Sequence, residues 1–339
     1  MIIPVRLENG SYDVTVERGA LQRVGSLFQL DRKVLIVTDE GVPPRYAETV
    51  ASAAKEPVIV TVPQGEGSKS FATLKHLLSE LLAHGFSRKD CVVSVGGGVV
   101  SDLAGFAAAT YMRGIDFYAV PTTVLSAVDA SVGGKTAINL DGIKNIVGAF
   151  HQPKGVLIDP ETLSSLSDRQ TANGMAEAVK MAVLFDPELF SRFESGDPLS
   201  DPDAIIARAV EWKRNVVEQD EKEQNLRRVL NFGHTIGHGI ESAANGALYH
   251  GECVAIGMLP MCSDQVRNRL QPVLARLHLP ASADLDPDAV YRALLHDKKS
   301  NADGIAVVLA DAIGSFRIVN LPYEALRERL KTVIRRNPA

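Results

Sequence analysis

The first 120 residues alternate short β-branched runs with helical patterning, and this alternation restricts the fold more than any other feature. "KVLIVT" (33–38), "PVIVTV" (57–62), "CVVSV" (91–95) and "DFYAV" (116–120) are brief, rich in Val or Ile, and bounded by Pro, Gly or Asp, as buried strands are. Between the second and third, "FATLKHLLSELLAHG" (71–85) sets leucines at helical spacing and stops at Gly85, a plausible C-terminal cap. Strands separated by helices imply a parallel sheet covered on both faces.

After about residue 160 the texture changes. Helical patterns cover 171–185, 203–220, 233–245, 251–269 and 323–336, and strand signals are confined to 305–309 and 315–319. A chain of 339 residues suits two domains, so the expectation is a Rossmann-like α/β domain over 1–160 and a mainly helical domain over 161–339. "ESGDPLSDPD" (194–203) reads as a surface connection between helices. With 45% hydrophobic and 23% charged residues a folded core is expected. The formal charge of −5 gives no general attraction to nucleic acid or to an anionic membrane, so any positive site must be local. Cys91, Cys253 and Cys262 are odd in number and lack zinc-type spacing, which points to a reducing compartment. The opening "MIIPVRLENGSYDV" carries no secretory pattern and no later run reaches the ~18 apolar residues of a spanning helix, so a cytoplasmic protein is expected.

"CVVSVGGGVVSDLAGFAAATYM" places Gly96–Gly98 between a strand and a helix beginning near Ser101. Glycines there let backbone N–H groups approach a ligand, and a helix N-terminus favours negative charge, so a pyrophosphate fits; a tight packing turn fits the same letters. Asp39 ends its strand, where a carboxylate can accept hydrogen bonds from ribose hydroxyls. The acid precedes the glycines and the motif is not GxGxxG, so this is no standard dinucleotide fingerprint. "PQGEGSK" (63–69) and "PTT" (121–123) add Glu66, Lys69 and hydroxyls at strand ends, where open α/β sheets bind ligands.

"NFGHTIGH" (231–238) sets His234 and His238 four apart on one helix face, an arrangement that serves a metal or, equally, hydrogen-bonded positions on a structural helix. His250 opens the next helical pattern, and a hairpin can bring it to His234. A further ligand must come from elsewhere, and Glu177 in "NGMAEAVKMA" is the best candidate, because an ionised group on an apolar helix needs a partner. Lys180 lies on the face of Glu177, and Arg227 is placed one helical repeat before His234. With Lys135, Lys144, Lys213, Lys298 and Lys299 they suggest a ligand bearing two anionic groups, although a solvated face accounts for such lysines taken singly.

These motifs resemble the 3-dehydroquinate synthase family, within the sugar phosphate cyclases. The resemblance is carried by "GGGVVSDLAGFAAATYMRG", "VPTTVLSAVDASVGGKTAIN", "KNIVGAFHQP", "GMAEAVK", "LNFGHTIGH" and "HGECVAIGM", in the family's order over about 63–260, and more loosely beyond by "DKK". It implies an enzyme using NAD and a divalent metal, Zn2+ or Co2+, on a small sugar acid phosphate. The implied reaction converts 3-deoxy-D-arabino-heptulosonate 7-phosphate to 3-dehydroquinate by transient oxidation, phosphate elimination, re-reduction and aldol closure. It implies Glu177, His234 and His250 as metal ligands, with His238 a substrate contact instead. The implied NAD contacts are Asp39, Glu66, Lys69, Gly97, Gly98, Asp102, Thr122, Thr123, Lys135, Lys144, Thr162, Leu163, Ser164 and Ser165. The implied substrate contacts are Asp129, Lys135, Asn145, Lys180, Lys213, Arg227, Asn231, His238 and one of Lys298 and Lys299. Arg113 would reach a neighbouring subunit's phosphate site, which implies a homodimer.

The chain departs from the family pattern at Ala137, Ile143 and Asn225, positions where the family often has glycine. The retained Asn231, His238 and "GGK" favour the dehydroquinate reaction over those of valiolone-type or amino-analogue cyclases. An NAD-dependent metal alcohol dehydrogenase would instead accumulate NADH from a simple polyol, and a metal-stabilised binding protein would not turn substrate over.

Overall fold

The structure, a computed structural model, describes residues 1–8, 10–196, 201–295, 300–301 and 304–335. Two compact units emerge: Met1–Ser167 with Pro202–Lys222, and Asp168–Asp201 with Glu223–Ala339.

The first unit is built on a seven-stranded sheet. From one edge the strands run Ile2–Val5, Tyr12–Val16, Gly155–Ile158, Asp116–Pro121, Cys91–Gly96, Lys33–Asp39 and Glu56–Val62. Only the first pair is antiparallel; every other neighbour is parallel. Val34 to Val37 and Val92, Val93 and Val95 have no exposed surface. Helices cover both faces of central parallel strands, which is why these runs are continuously apolar rather than alternating. All four strands expected from the sequence form. The ones left out, Ile2–Val5, Tyr12–Val16 and Gly155–Ile158, are four or five residues long and supply too little pattern to read.

Phe71–Ala83 is helical, its N-terminus capped by Ser70, whose side chain accepts from the Thr73 N–H at 3.3 Å, and it ends before Gly85 at φ 63°. The helix after the glycines, Gly98–Thr110, starts earlier than the expected Ser101 because Gly97 serves as its N-cap in extended backbone. A hairpin, Lys135–Leu140 with Ile143–Phe150, turns through Asp141 and Gly142 at φ 50° and 79°. Two consecutive positive φ values are the requirement of a two-residue hairpin turn matched to strand twist, and Asp-Gly meets it. Helix Pro202–Gln219 also belongs to this unit.

The second unit is mainly helical. Its helices are Asp168–Phe185, Pro187–Ser195, His234–Ala244, His250–Met258, Asp264–Arg276, Pro287–Leu295 and Tyr323–Lys331, with an antiparallel pair Gly304–Ala312 and Ser315–Leu321. The pattern at 251–269 is not one helix. It breaks at Leu259–Met261, where Pro260 lacks a donor, and restarts at Asp264 with Ser263 as N-cap, accepting from Val266 N–H at 3.3 Å. The pattern at 323–336 likewise ends at Lys331, and Ile334–Arg335 pairs in parallel with Ala283–Asp284. Among the described residues no helix is long and apolar enough to cross a membrane. Cys91, Cys253 and Cys262 are all free thiols and buried.

Candidate active site

In the second unit, glycines set the geometry. Helix His234–Ala244 crosses His250–Met258 at Gly233, Gly237 and Gly257: a Cβ on Gly257 would lie 2.1 Å from the Gly233 carbonyl oxygen, and one on Gly237 3.1 Å from that of Cys253. A Cβ on Gly251 would stand 1.9 Å from the carbonyl oxygen of Asn173, on the helix Asp168–Phe185. Backbones therefore approach at distances that any other residue forbids, and the three helices converge where Glu177, His234 and His250 project.

The Glu177 carboxylate is completely buried, with His234 Nε2 3.4 Å and His250 Nε2 3.7 Å from its Oε1. Lys180 Nζ lies against the other oxygen and is equally buried. Neither carboxylate oxygen accepts a hydrogen bond of ordinary geometry. One ligand atom from each of Glu177, His234 and His250 lies within 4.8 Å of the others. Donors about 2.1 Å from a tetrahedral ion stand roughly 3.4 Å apart, so this donor set fits a divalent cation. Both imidazoles present the correct nitrogen. His234 Nδ1 is 3.0 Å from the Phe232 carbonyl, which can only accept, and His250 Nδ1 is 3.1 Å from Glu241 Oε2. Each Nδ1 therefore carries a proton, so Nε2, on the side of Glu177, is the nitrogen left to donate to a cation.

Burial alone would raise the Glu177 carboxyl, but the Lys180 ammonium and His250 pull it down to about 2. Burial lowers His234 well below the ordinary range, reinforced by the Lys180 charge. For His250, burial is outweighed by Glu177 and Glu241, which raise it to about 10. A proton and a metal ion thus compete for the same lone pair.

His238 is exposed, its ring centroid 5.3 Å from that of His234 and 5.9 Å from that of His250. His238, Glu241 and His250 form a second group with ligand atoms within 4.8 Å of one another, sharing His250 with the first. Asn231 donates to Glu223 Oε1 at 2.9 Å. Arg227 is almost fully buried but not on the helix of His234: it lies in a separate turn, Leu226–Asn231, because Gly233 at φ 76° interrupts the helical path. Lys298 and Lys299 lie outside the described residues.

In the first unit, polar groups gather at the C-terminal ends of the strands. A Cβ on Gly97 would meet the Thr123 side chain at 3.1 Å, and one on Gly98 would meet Ala130 at 3.3 Å. The space a side chain would fill lies at a helix N-terminus, which fits an anionic pyrophosphate. Asp39 Oδ1 accepts from the Gly41 N–H at 2.8 Å, and burial raises the carboxyl above its ordinary value. Lys69 Nζ reaches Asp102 Oδ2 at 2.6 Å, touches Asn145 Oδ1 and lies 3.7 Å from Glu66. Burial raises Asp102, partly offset by Lys69. Asn139, unnoticed in the sequence, ties this cluster together: it donates to Glu66 Oε1 and accepts from the Asn145 N–H, both at 2.9 Å. The accepted N–H belongs to a residue at φ 54°, so Asn139 holds Asn145 in a left-handed conformation.

Thr122 donates its N–H to Gly96 at 3.0 Å, and Thr123 Oγ1 accepts from the Ser126 N–H at 3.2 Å. In the turn Pro160–Ser165 the hydroxyls of Thr162, Ser164 and Ser165 bond to carbonyls of Asp159, Glu161 and Thr162, and Leu163 is half-buried. Lys213 Nζ pairs with Asp129 at 2.5 Å. Lys135 and Lys144 are exposed on the hairpin. Ala137, where a side chain departs from the family's glycine, packs against Gly148, whose own Cβ would lie 2.8 Å from that of Ala137. Arg113 is exposed in a turn where Met112, Arg113 and Gly114 all have positive φ, of 48°, 72° and 121°.

The chain matches family models for the 3-dehydroquinate synthase N-terminal region at residues 59–173 and the 3-dehydroquinate synthase C-terminal region at 174–300. A 3-dehydroquinate synthase of Enterococcus faecalis is 43% identical over 350 aligned residues, covering 96% of this chain and 98% of that protein. Among solved structures, 2-deoxy-scyllo-inosose synthase complexed with carbaglucose-6-phosphate, NAD+ and Co2+ superposes with a TM-score of 0.89 at 26% identity, covering 98% of this chain and 100% of that one. The 2-epi-5-epi-valiolone synthase of Streptomyces hygroscopicus, with NAD+ and Zn2+ bound, gives 0.87 at 30% identity over 96% and 98% of the two chains.

Proposed function

The chain belongs to the 3-dehydroquinate synthase family, and from that premise we propose which of its residues perform the family's reaction. The enzyme is a phosphate-eliminating carbon–oxygen lyase that converts 3-deoxy-D-arabino-heptulosonate 7-phosphate to 3-dehydroquinate and phosphate, a step toward aromatic amino acids. The observation that carries the site is the convergence of buried Glu177 with His234 and His250 beside Lys180.

When bound, NAD supplies a hydride acceptor that returns the hydride later in the turnover, and Zn2+ or Co2+ supplies Lewis acidity. Glu177, His234 and His250 hold the cation. Asp39, Glu66, Lys69, Gly97, Gly98, Asp102, Thr122, Thr123, Lys135, Lys144 and the segment Thr162–Ser165 hold NAD, which makes the unit containing the sheet the nucleotide-binding one. In the turn of Thr162 the hydroxyls are already bonded to carbonyls, so the contact to NAD there falls to backbone and packing. Lys180, Arg227, Asn231, His238, Asp129, Lys135, Asn145 and Lys213 bind the substrate; Lys298 or Lys299 joins them. Lys180 keeps Glu177 ionised while itself buried, presenting a fixed cation that needs no reorganisation during reaction. Lys213 is held by Asp129 in the same manner.

We read the protein as a cytoplasmic homodimer, a reducing compartment being suited to its three buried thiols. The strained turn that exposes Arg113 fits an arginine reaching a neighbouring subunit.

Purified, metal-loaded protein given the heptulosonate phosphate and catalytic NAD tests this reading. One phosphate per carbocyclic product, with no net NADH at 340 nm, is expected. Absence of both, with another sugar phosphate cyclised instead, overturns the choice of substrate.

A further inference from the structure

Helix His234–Ala244 presents His234, His238 and Glu241 at spacings of four and three, which puts all three on one face. Only the histidines are absorbed by the reading above. Glu241 is half-buried, with its Oε2 3.1 Å from His250 Nδ1, on the side of the imidazole opposite the nitrogen that faces Glu177. His250 is anchored differently from His234, whose Nδ1 is bound by a neutral backbone carbonyl of its own segment. His250 depends on a side chain nine residues away, across the helix crossing built by Gly237 and Gly257.

We propose that Glu241 is the positioning residue of the metal centre: its carboxylate fixes the Nδ1–H tautomer and ring orientation of His250 and strengthens Nε2 as a donor to the cation. This inference rests on the metal-site reading given above. The physical reason is that a ligating imidazole can donate through Nε2 only while its proton stays on Nδ1, and an anionic acceptor there makes the imidazole more basic. Glu241 touches neither the ion nor the substrate in this role. The His238–Glu241–His250 group is then an orienting network, since His250 Nδ1 is occupied by its proton.

The test is Co2+ titration of the metal-free protein in wild-type, Glu241→Gln, Glu241→Ala and His250→Ala forms, followed through the visible cobalt absorption, with the His250 Nδ1–H resonance recorded in the Zn2+-loaded forms. A carboxylate–histidine pair of this kind is worth about 10–100-fold in metal affinity. Glu241→Ala is expected to weaken Co2+ binding by that factor and lose the protected Nδ1–H signal. Glu241→Gln, whose amide oxygen still accepts the Nδ1–H hydrogen bond but carries no charge, is expected to keep the signal and recover part of the affinity. Affinities of both Glu241 variants within twofold of wild type, while His250→Ala abolishes binding, overturn the role of Glu241 and leave the metal site standing. If wild type and His250→Ala titrate alike, the metal-site reading itself falls.

Discussion

The two units gather charged and polar side chains by different means. In the first, each polar group stands where a parallel strand ends: Asp39 as the last residue of Lys33–Asp39, Gly97 and Gly98 after Cys91–Gly96, and Thr122 after Asp116–Pro121. Their placement follows from sheet register, and the apolar strands behind them need no knowledge of the ligand. In the second, Glu177, His234 and His250 come from three helices whose approach is set by absent side chains at Gly233, Gly251 and Gly257. A site at strand ends tolerates local change; a site at a helix crossing is inseparable from the packing that makes it.

The largest effect should come from the residues proposed to hold the cation. Glu177→Ala and His250→Ala are expected to lose stoichiometric metal, measured by elemental analysis after dialysis. They should lower kcat by about 10²–10⁴, because a Lewis acid contributes several kcal/mol. A chelator should likewise remove activity from the wild type, and added Zn2+ or Co2+ should restore it. NAD affinity in both variants should remain within twofold, since Glu177 and His250 belong to one compact unit and the residues proposed for NAD to the other. Loss of both together would erase the distinction between the units.

Next in size is a pair of glycine substitutions. Gly257→Ala places a methyl 2.1 Å from the Gly233 carbonyl oxygen, so the helix crossing must open, at a cost of about 1–3 kcal/mol, and metal affinity should fall with it. Gly98→Ala places one 3.3 Å from the Ala130 methyl, where a few tenths of an ångström of adjustment suffice. Its thermal stability should change by less than about 1 kcal/mol while NAD binding weakens, because the methyl occupies the cradle at the helix N-terminus. Equal destabilisation by the two would show that both sites are built in the same way.

That contrast also explains what could be read from the amino-acid sequence. The strands of the first unit were legible because burial on both faces leaves continuous Val and Ile runs, and Asp39 could be placed as the last residue of one of them. The pairing of Glu177 with His250 could only be suggested, since it depends on where Gly251 lets a helix pass Asn173, and nothing local to either residue encodes that crossing. The same limit hid the break at Pro260, where the apolar pattern runs on through 251–269, and it set Arg227 on a helix that Gly233 interrupts. Asn139 was missed because its partners, Glu66 and Asn145, lie 73 and 6 residues away and meet only when the hairpin folds. Glu241 did leave a trace, as the third polar residue on the face of His234 and His238.

Asn139 gives a smaller prediction. Asn139→Ala removes one hydrogen bond to a carboxylate and releases the left-handed backbone at Asn145, so NAD should bind about tenfold more weakly, the worth of one such bond. Metal content should be unchanged. If metal is lost as well, polar placement in the first unit is coupled to the second.

The finest distinction lies within the sheet itself, between aspartates at opposite ends of its strands. Asp90 precedes Cys91–Gly96 and receives the Ser87 N–H at 2.6 Å, the Ser87 hydroxyl at 2.8 Å and the Lys33 N–H at 3.2 Å. Burial pushes its carboxyl up, but these donors and the Lys33 charge outweigh it, and the net shift is downward. A lowered folded value means that Asp90 stabilises the protein above its unfolded pKa, and that the contribution is lost as pH falls through the folded one. Asp39 has the opposite sign. Burial dominates over the Gly41 and Val42 N–H groups and raises it, so its ionised form costs stability at neutral pH, a cost that disappears as the group takes up a proton in acid. Asp90→Asn should therefore lose about 1–3 kcal/mol at pH 7, with the gap to wild type closing below about pH 4, and should bind NAD normally. Asp39→Asn should be as stable as wild type or more so at pH 7, yet bind NAD weakly, as expected of a carboxylate kept at a strand's C-terminal end for a ligand's hydroxyls rather than for the fold. Denaturant titrations of the two variants at pH 7 and about pH 3 decide it: Asp39→Asn losing as much stability at pH 7 as Asp90→Asn would mean that both aspartates serve the sheet and that strand ends hold no residue reserved for a ligand.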